Sequence, residues 1–180
     1  MEIIDGLSEI SYEGNTRIAI GKFDGIHAGH QMLIKEMTKH NDDLKSVVFT
    51  FSLASENFLN KNERIYSEEK RREVFKSLGV DYLVEYDLND VTARCEPEEF
   101  ARVVLKERLH AKEIYCGPDL SFGYKGRGNV SLLRSLEKEL NIKTIVFEKK
   151  KYLGEDISST RIREAIKAGD LKAAENMLRG

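Results

Sequence analysis

The chain has little of what marks several common protein classes. It has two cysteines in 180 residues, Cys95 and Cys116, and they form no CxxC pair, so neither a disulfide framework nor a zinc knuckle is indicated. No apolar run approaches the roughly 18 residues of a membrane span. The first ten residues carry Glu2, Asp5 and Glu9 and lack the basic-then-apolar pattern of a secretion signal. Charge of one sign is also missing. Against 31 acidic residues stand 29 basic ones, a net charge of −2, which argues against non-specific nucleic-acid binding. No GxxxxGK[ST] loop occurs, and Gly126-Arg127-Gly128 lacks the third glycine of a dinucleotide fingerprint. The expectation is one domain in a reducing cytoplasm, with neither nucleic acid nor membrane as partner.

What is present is an alternation of β-rich and helical runs, the pattern of a parallel sheet with crossover helices. Five strands are expected, at 17–21, 46–51, 81–86, 113–116 and 143–147. Helical patterns fall between them at 29–40, 67–78, 97–109 and 130–140. Glu68 and Glu69 suit a helix N-terminus after Ser67, and Pro97 followed by Glu98 and Glu99 makes a clear helix start. The tail from Ser158 reads as two short helices, the first stopped by Gly169 and the second capped by Asp170. The fold class is therefore α/β, a Rossmann-like open parallel sheet of about five strands with helices on both faces.

The most informative segment is Gly21-Lys22-Phe23-Asp24-Gly25-Ile26-His27-Ala28-Gly29-His30. It leaves the first strand through glycines that permit close backbone approach and enters a helix. The helix N-terminus offers unpaired N–H groups and a partial positive charge, an anion site. His27 and His30 are three apart at that same end, so both imidazoles can lie on one side. Taken alone, each His also reads as a surface or capping residue. A metal site is not expected, because no Cys or third His lies nearby. His40 and His110 read as solvated helix-end residues.

Ile157-Ser158-Ser159-Thr160-Arg161-Ile162-Arg163 places three hydroxyls at a helix start, followed by two cations, a second anion cradle. Arg161 and Arg163 are two apart on a helix and cannot face the same way, so one serves an anion and the other the structure. Alone, the segment also reads as a plain capped helix. The run from Cys116 to Asn129 follows the fourth strand, and ligands of open parallel sheets bind beyond the carboxyl ends of strands. Cys116 itself reads as a small buried strand residue, with no activating His nearby in sequence.

GKFDGIHAGH resembles the HxGH signature of the nucleotidyltransferase superfamily, and ISSTRIR resembles its second signature. More narrowly, FDGIHAGH is similar to the adenylyltransferase module of bacterial bifunctional riboflavin kinase/FAD synthetases. The 117–128 run is similar to that family's G-x-D-F-x-FG…G flavin loop, with Leu120 where Phe is usual. Gly169-Asp170-Leu171…Ala174…Met177-Leu178 is similar to its closing segment.

The resemblance implies one nucleotidyltransferase domain over 1–180, using ATP with Mg²⁺ and converting FMN to FAD. It implies an ATP site of Gly21, Phe23, Asp24, Gly25, His27, His30, Ser158, Ser159, Thr160 and Arg163, with His27, His30 and Arg163 catalytic. Asp24 is expected to hold the turn through a backbone hydrogen bond. It implies a flavin site of Gly117, Asp119, Phe122, Gly123 and Tyr124. Mg²⁺ is expected on the ATP phosphates rather than on protein ligands.

Two departures stand out. The family's TF-(D/E)-PHP run is replaced by Thr50-Phe51-Ser52-Leu53-Ala54-Ser55, and no riboflavin kinase module is expected within these residues, so either a separate kinase supplies FMN or the chain is a domain of a longer protein. Another small phosphorylated acceptor, CTP in place of ATP, and a non-catalytic nucleotide- or flavin-binding module are the competing readings.

Overall fold

The computed structural model describes residues 1–5, 14–40, 42–52, 64–89 and 92–179. Its centre is a parallel sheet of six strands: β1 (Glu2–Asp5), β2 (Thr16–Ile20), β3 (Lys45–Phe51), β4 (Tyr82–Tyr86), β5 (Ala111–Cys116) and β6 (Lys143–Val146), ordered β1-β4-β3-β2-β5-β6. The five expected strands are all there, and β1 is an addition. It carries only Ile3 and Ile4 between two acidic residues, and its partner is β4, with Glu2 opposite Tyr82. Nothing local announces such an edge strand.

The inner strands are apolar on both faces, as a sheet covered on both sides requires. Ile18, Val47, Phe49, Val84 and Ile114 pack on one face against Phe100, Val104 and Leu105 of α3 (Pro97–Glu99 continued by Phe100–Arg108) and Leu133, Leu136 and Leu140 of α4 (Val130–Leu140). Helix α3 opens over Pro97–Glu99 and continues over Phe100–Arg108 as a π-helix, ending with the Leu109 N–H donating to Val104 C=O, five residues back. The alternate residues Ala19, Val48, Leu83 and Tyr115 pack on the other face, against Leu33, Ile34 and Met37 of α1 (Ala28–Thr38) and Phe75 of α2 (Glu68–Ser77). This switching of neighbours between opposite faces is the strand period of two.

The tail forms α5 (Ser159–Lys167) and α6 (Leu171–Arg179), separated by Gly169 at φ 78°. Asp170 caps α6 by accepting from the Ala173 N–H at 3.0 Å. Ile157, Ile162, Ala174 and Met177 close over Ala28, which ties the tail to the beginning of α1. A hairpin of β7 (Lys151–Tyr152) and β8 (Glu155–Asp156) precedes α5. It turns through Leu153 and Gly154, both at positive φ, the geometry of a tight primed turn. Leucine is a poor advertisement for such a turn, and the strands are too short and charged to show alternation. His110, expected at a solvated helix end, is half-buried and turns the chain into β5 with a φ of 52°. Among the described residues no helix is long and apolar enough to cross a membrane.

Candidate active site

From β2 the chain proceeds to β3 and β4 on one side, then returns to place β5 on the other side. The switch point lies between β2 and β5, where open α/β sheets form a crevice at the carboxyl ends of their strands. A cavity of about 360 Å³ lies there, within the range of small-molecule sites. Its wall is built from the turn after β2 (Gly21, Lys22, Phe23), the start of α1 (His27, Gly29, His30), the loop after β5 (Gly117 to Ser121), the run after β6 (Phe147 to Lys150) and the start of α5 (Ile157, Ser158, Ser159).

His27 is the N-cap of α1. Its backbone is extended, and its Nδ1 accepts from the His30 N–H at 3.4 Å. An accepting Nδ1 is unprotonated, so the neutral ring carries its proton on Nε2. The two imidazoles stack, with centroids 3.6 Å apart and planes 17° from parallel. Burial pushes the His27 pKa down to about 4, partly opposed by the charge of Asp119 and assisted by Lys149. Burial, then the neighbouring His27, hold His30 well below the ordinary value. Near neutral pH the pair therefore offers neutral donors rather than imidazolium charge.

Positive charge comes from Lys22, Lys149 and Lys150, which border the same cavity. The Lys149 ammonium lies 2.9 Å from Asp119, joining the loops after β5 and β6. Ser158 caps α5 by accepting from the Arg161 N–H at 3.2 Å. Two helix N-termini thus meet one cavity, and each directs partial positive charge toward it. The arrangement suits a multiply charged anion.

The remaining expected residues separate into two groups. Among the ATP set, Gly21, Phe23, His27, His30, Ser158 and Ser159 border the cavity; Asp24, Gly25, Thr160 and Arg163 are not in its wall. Asp24 accepts from the Ile65 N–H at 3.3 Å and pairs with Arg163 at 2.5 Å, so both side chains brace the turn from behind. Thr160 is exposed. Arg161 donates to the carbonyls of Tyr152 and Glu155 and holds the β7–β8 hairpin. The expected division of labour between the two arginines therefore meets a geometry in which both are structural partners.

In the flavin set, Gly117 and Asp119 border the cavity, whereas Phe122, Gly123 and Tyr124 do not. Phe122 is 4% exposed and packs on Phe100, with centroids 5.6 Å apart. Its main chain exchanges two hydrogen bonds with Gly128, and a Cβ at Gly128 would come 2.6 Å from the Phe122 ring. This pairing turns the aromatic side chain into the core. Tyr124 instead lies between Lys125 and Arg127, each little more than 5 Å from its ring centroid. Leu120 and Ser121 take the cavity positions in this loop. Cys116 is buried, and burial raises its thiol to about 11, the condition of an inert strand residue. Leu53, Ala54 and Ser55 lie outside the described residues.

Sequence reasoning missed Lys22, Lys149 and Lys150. The available signal was positional: Lys149 and Lys150 follow β6 directly, and Lys22 follows β2, where the carboxyl ends of strands put their side chains at the crevice.

An open parallel sheet with a charged cavity at its switch point, walled by two helix N-termini, defines a Rossmann-like α/β protein with a site suited to a multiply charged anion. The model of the FAD synthetase family matches residues 9–161. The chain belongs to that family. It is similar to the bifunctional riboflavin kinase/FMN adenylyltransferase of Buchnera aphidicola subsp. Schizaphis graminum, at 29% identity over 99% of this chain and 59% of that protein. It is also similar to the FAD synthetase of Listeria monocytogenes, at 33% identity over 89% of this chain and 67% of that one. Among solved structures, one described as a macrolide-efflux protein from Streptococcus pneumoniae matches with a TM-score of 0.81 and 28% identity, over 98% of this chain and 60% of that one. The chain spans 59% and 54% of the length of two bifunctional relatives.

Proposed function

We propose that this chain transfers the AMP moiety of ATP to FMN, giving FAD and pyrophosphate. The observation that carries the reading is the meeting of the His27/His30 helix end, the 117–121 loop and the Ser158–Ser159 helix start around one cavity. An oxygen of the FMN phosphate attacks the α-phosphorus of ATP. The new P–O bond forms as the bond to the α,β-bridging oxygen breaks, and pyrophosphate leaves with that electron pair. A phosphate monoester has its second pKa at about 6, so the nucleophile is already ionised and no strong base is required. Catalysis is then positioning and charge stabilisation.

The neutral Nε2–H of His27 and the neutral ring of His30 donate to the phosphates, and neutrality suits a donor that must not bind the ground state too tightly. The amides at the start of α5, with Ser158 and Ser159, receive the leaving pyrophosphate. Lys22, Lys149 and Lys150 balance its charge. Arg163 serves from behind through Asp24, and its direct service to an anion would require that pair to open. ATP enters as its Mg²⁺ complex, the ion held by phosphate oxygens and water. Asp119 and Glu148 are the carboxylates bordering the cavity. Asp119 is suited to orient polar groups of the acceptor once Lys149 moves to a phosphate.

Incubation with ATP, Mg²⁺ and FMN, followed by chromatography, tests the reading. FAD and pyrophosphate should appear in equal amounts. One observation favours a second reading, in which the acceptor is another small phosphorylated molecule. Phe122 and Tyr124 face away, leaving Phe23 and Phe147 as the Phe or Tyr residues in the described wall, and Phe23 is itself only 1% exposed. Pyrophosphate release with a different acceptor, and none with FMN, would select that alternative.

A further inference from the structure

The carbonyl of Lys22 accepts two hydrogen bonds from one side. The Thr50 hydroxyl donates to it at 2.9 Å, and the Arg71 guanidinium at 3.1 Å. Arg71 also donates to Thr50 at 2.8 Å, which closes a triangle of three groups. Arg71 is 2% exposed and Thr50 is fully buried, so water cannot replace either donor. Arg71 projects from α2, Thr50 from β3, and the turn they grip is the one that follows β2.

A trans peptide holds its C=O and N–H on opposite sides. With the Lys22 oxygen locked toward Thr50 and Arg71, the N–H of Phe23 is aimed the other way. Phe23 has a φ of 49° and Ile26 a φ of 39°. Non-glycine residues in that region persist only where the surroundings over-determine them, and they cluster at binding turns. Gly21, Lys22 and Phe23 border the cavity, and a buried guanidinium behind them adds positive potential where solvent screening is weak.

Resting on the nucleotide pocket proposed above, we infer that Arg71 is a positioning residue for the polyphosphate. With Thr50, it flips the Lys22–Phe23 peptide so that its N–H donates to a phosphate oxygen. Arg71 acts through the peptide and does not touch the nucleotide.

The test compares wild type with Arg71→Met, Arg71→Lys and Thr50→Val. Folding is checked by circular dichroism, and binding of Mg²⁺–ATP and of inorganic tripolyphosphate is measured by calorimetry. Arg71→Met should weaken both ligands roughly tenfold, the scale of one hydrogen bond to a charged group. Thr50→Val should weaken both by a smaller factor, about threefold. Arg71→Lys should recover part of the loss. In turnover, KM for ATP should rise while KM for FMN stays constant; a purely structural role would instead lower Tm and impair both substrates. If Arg71→Met does not fold, Thr50→Val decides. Equal tripolyphosphate binding across the folded set, or none by the wild type, overturns the inference. Failure of the wild type to make FAD sinks the proposed reaction and leaves the tripolyphosphate arm readable.

Discussion

At the amino ends of the strands, Arg17 is 2% exposed and lies 2.5 Å from Asp42 and 3.4 Å from Glu113. Beside it, Ser46 donates to Asp81 through both its N–H and its hydroxyl, and Thr16 donates to the Leu109 carbonyl. Most polar groups there bond one another, as buried groups tend to, although the buried Arg17 Nε makes only the ion-pair approach to Glu113 and no hydrogen bond among the described residues. At the carboxyl ends, His27 caps its own helix while its other nitrogen has no acceptor among the described residues, and the lysines border a cavity. One end of the sheet spends its polarity on the fold. The other leaves donors directed at a space that an anion can fill. The difference lies in the loops, because the same strands run through both ends.

Variants that affect one end and spare the other probe this contrast. The largest effect is expected for His27→Ala and His30→Ala. Loss of a donor that acts mainly in the transition state costs about 2.7–4 kcal/mol, or roughly 10²–10³ in kcat. Far-UV circular dichroism should stay unchanged. His27→Ala should also lose about 1 kcal/mol of stability, because it removes a cap. Near wild-type turnover in a folded double variant would break the assignment.

Acid should expose the same pair through folding stability. The ordinary histidine value is 6.5, and the folded His27 titrates at about 4, with His30 also held low. Between these values the unfolded chain takes up protons that the folded chain refuses, so stability falls as pH drops through that window. The slope approaches ~1.4 kcal/mol per pH unit per histidine. Urea titrations at pH 7 and pH 5 should show the loss, and the double alanine variant should largely abolish it. An unchanged slope in that variant would place the acid sensitivity elsewhere.

Arg17→Met at the opposite end should cost about 1–3 kcal/mol of stability. The lower part of that range is expected, since Asp42 is half-exposed and regains water. Its kcat/KM should match wild type; a matching fall in activity would erase the distinction between the two ends. The smallest effect is expected for Lys149→Met, whose ammonium pairs with Asp119 at the surface. KM for ATP should rise a few-fold at low salt, and the difference should shrink at high salt because exposed charges are screened. A salt-independent effect would point to packing.

The alternation of strand and helix was legible because inner strands such as Val47–Phe49 are continuous apolar runs and helices such as α4 carry apolar residues at helical spacing. The helix starts at Ser67, Pro97 and Asp170 were legible from capping chemistry. β1 and the β7–β8 hairpin were not, since each strand has only two to four residues, half or more of them charged, and is a strand only by virtue of its partner. The site was legible at His27, His30, Ser158 and Ser159, where the motif and the local helix end coincide. It was not legible at Phe122, where the motif names an aromatic and a hydrogen-bonded bridge to Gly128 decides its direction.

By itself, then, the order of residues determined which segments are strands and helices, where the helices are capped, and that two anion-seeking helix ends exist. Those are consequences of short-range sterics and hydrogen bonding, and they reach only a few residues along the chain. Tertiary structure decided that both helix ends share one cavity, that Lys149 and Lys150 join them, and that Arg163 faces Asp24 while Arg71 grips the turn. Each of these depends on which distant side chain fills the space beyond the sheet, and only the packed chain specifies that.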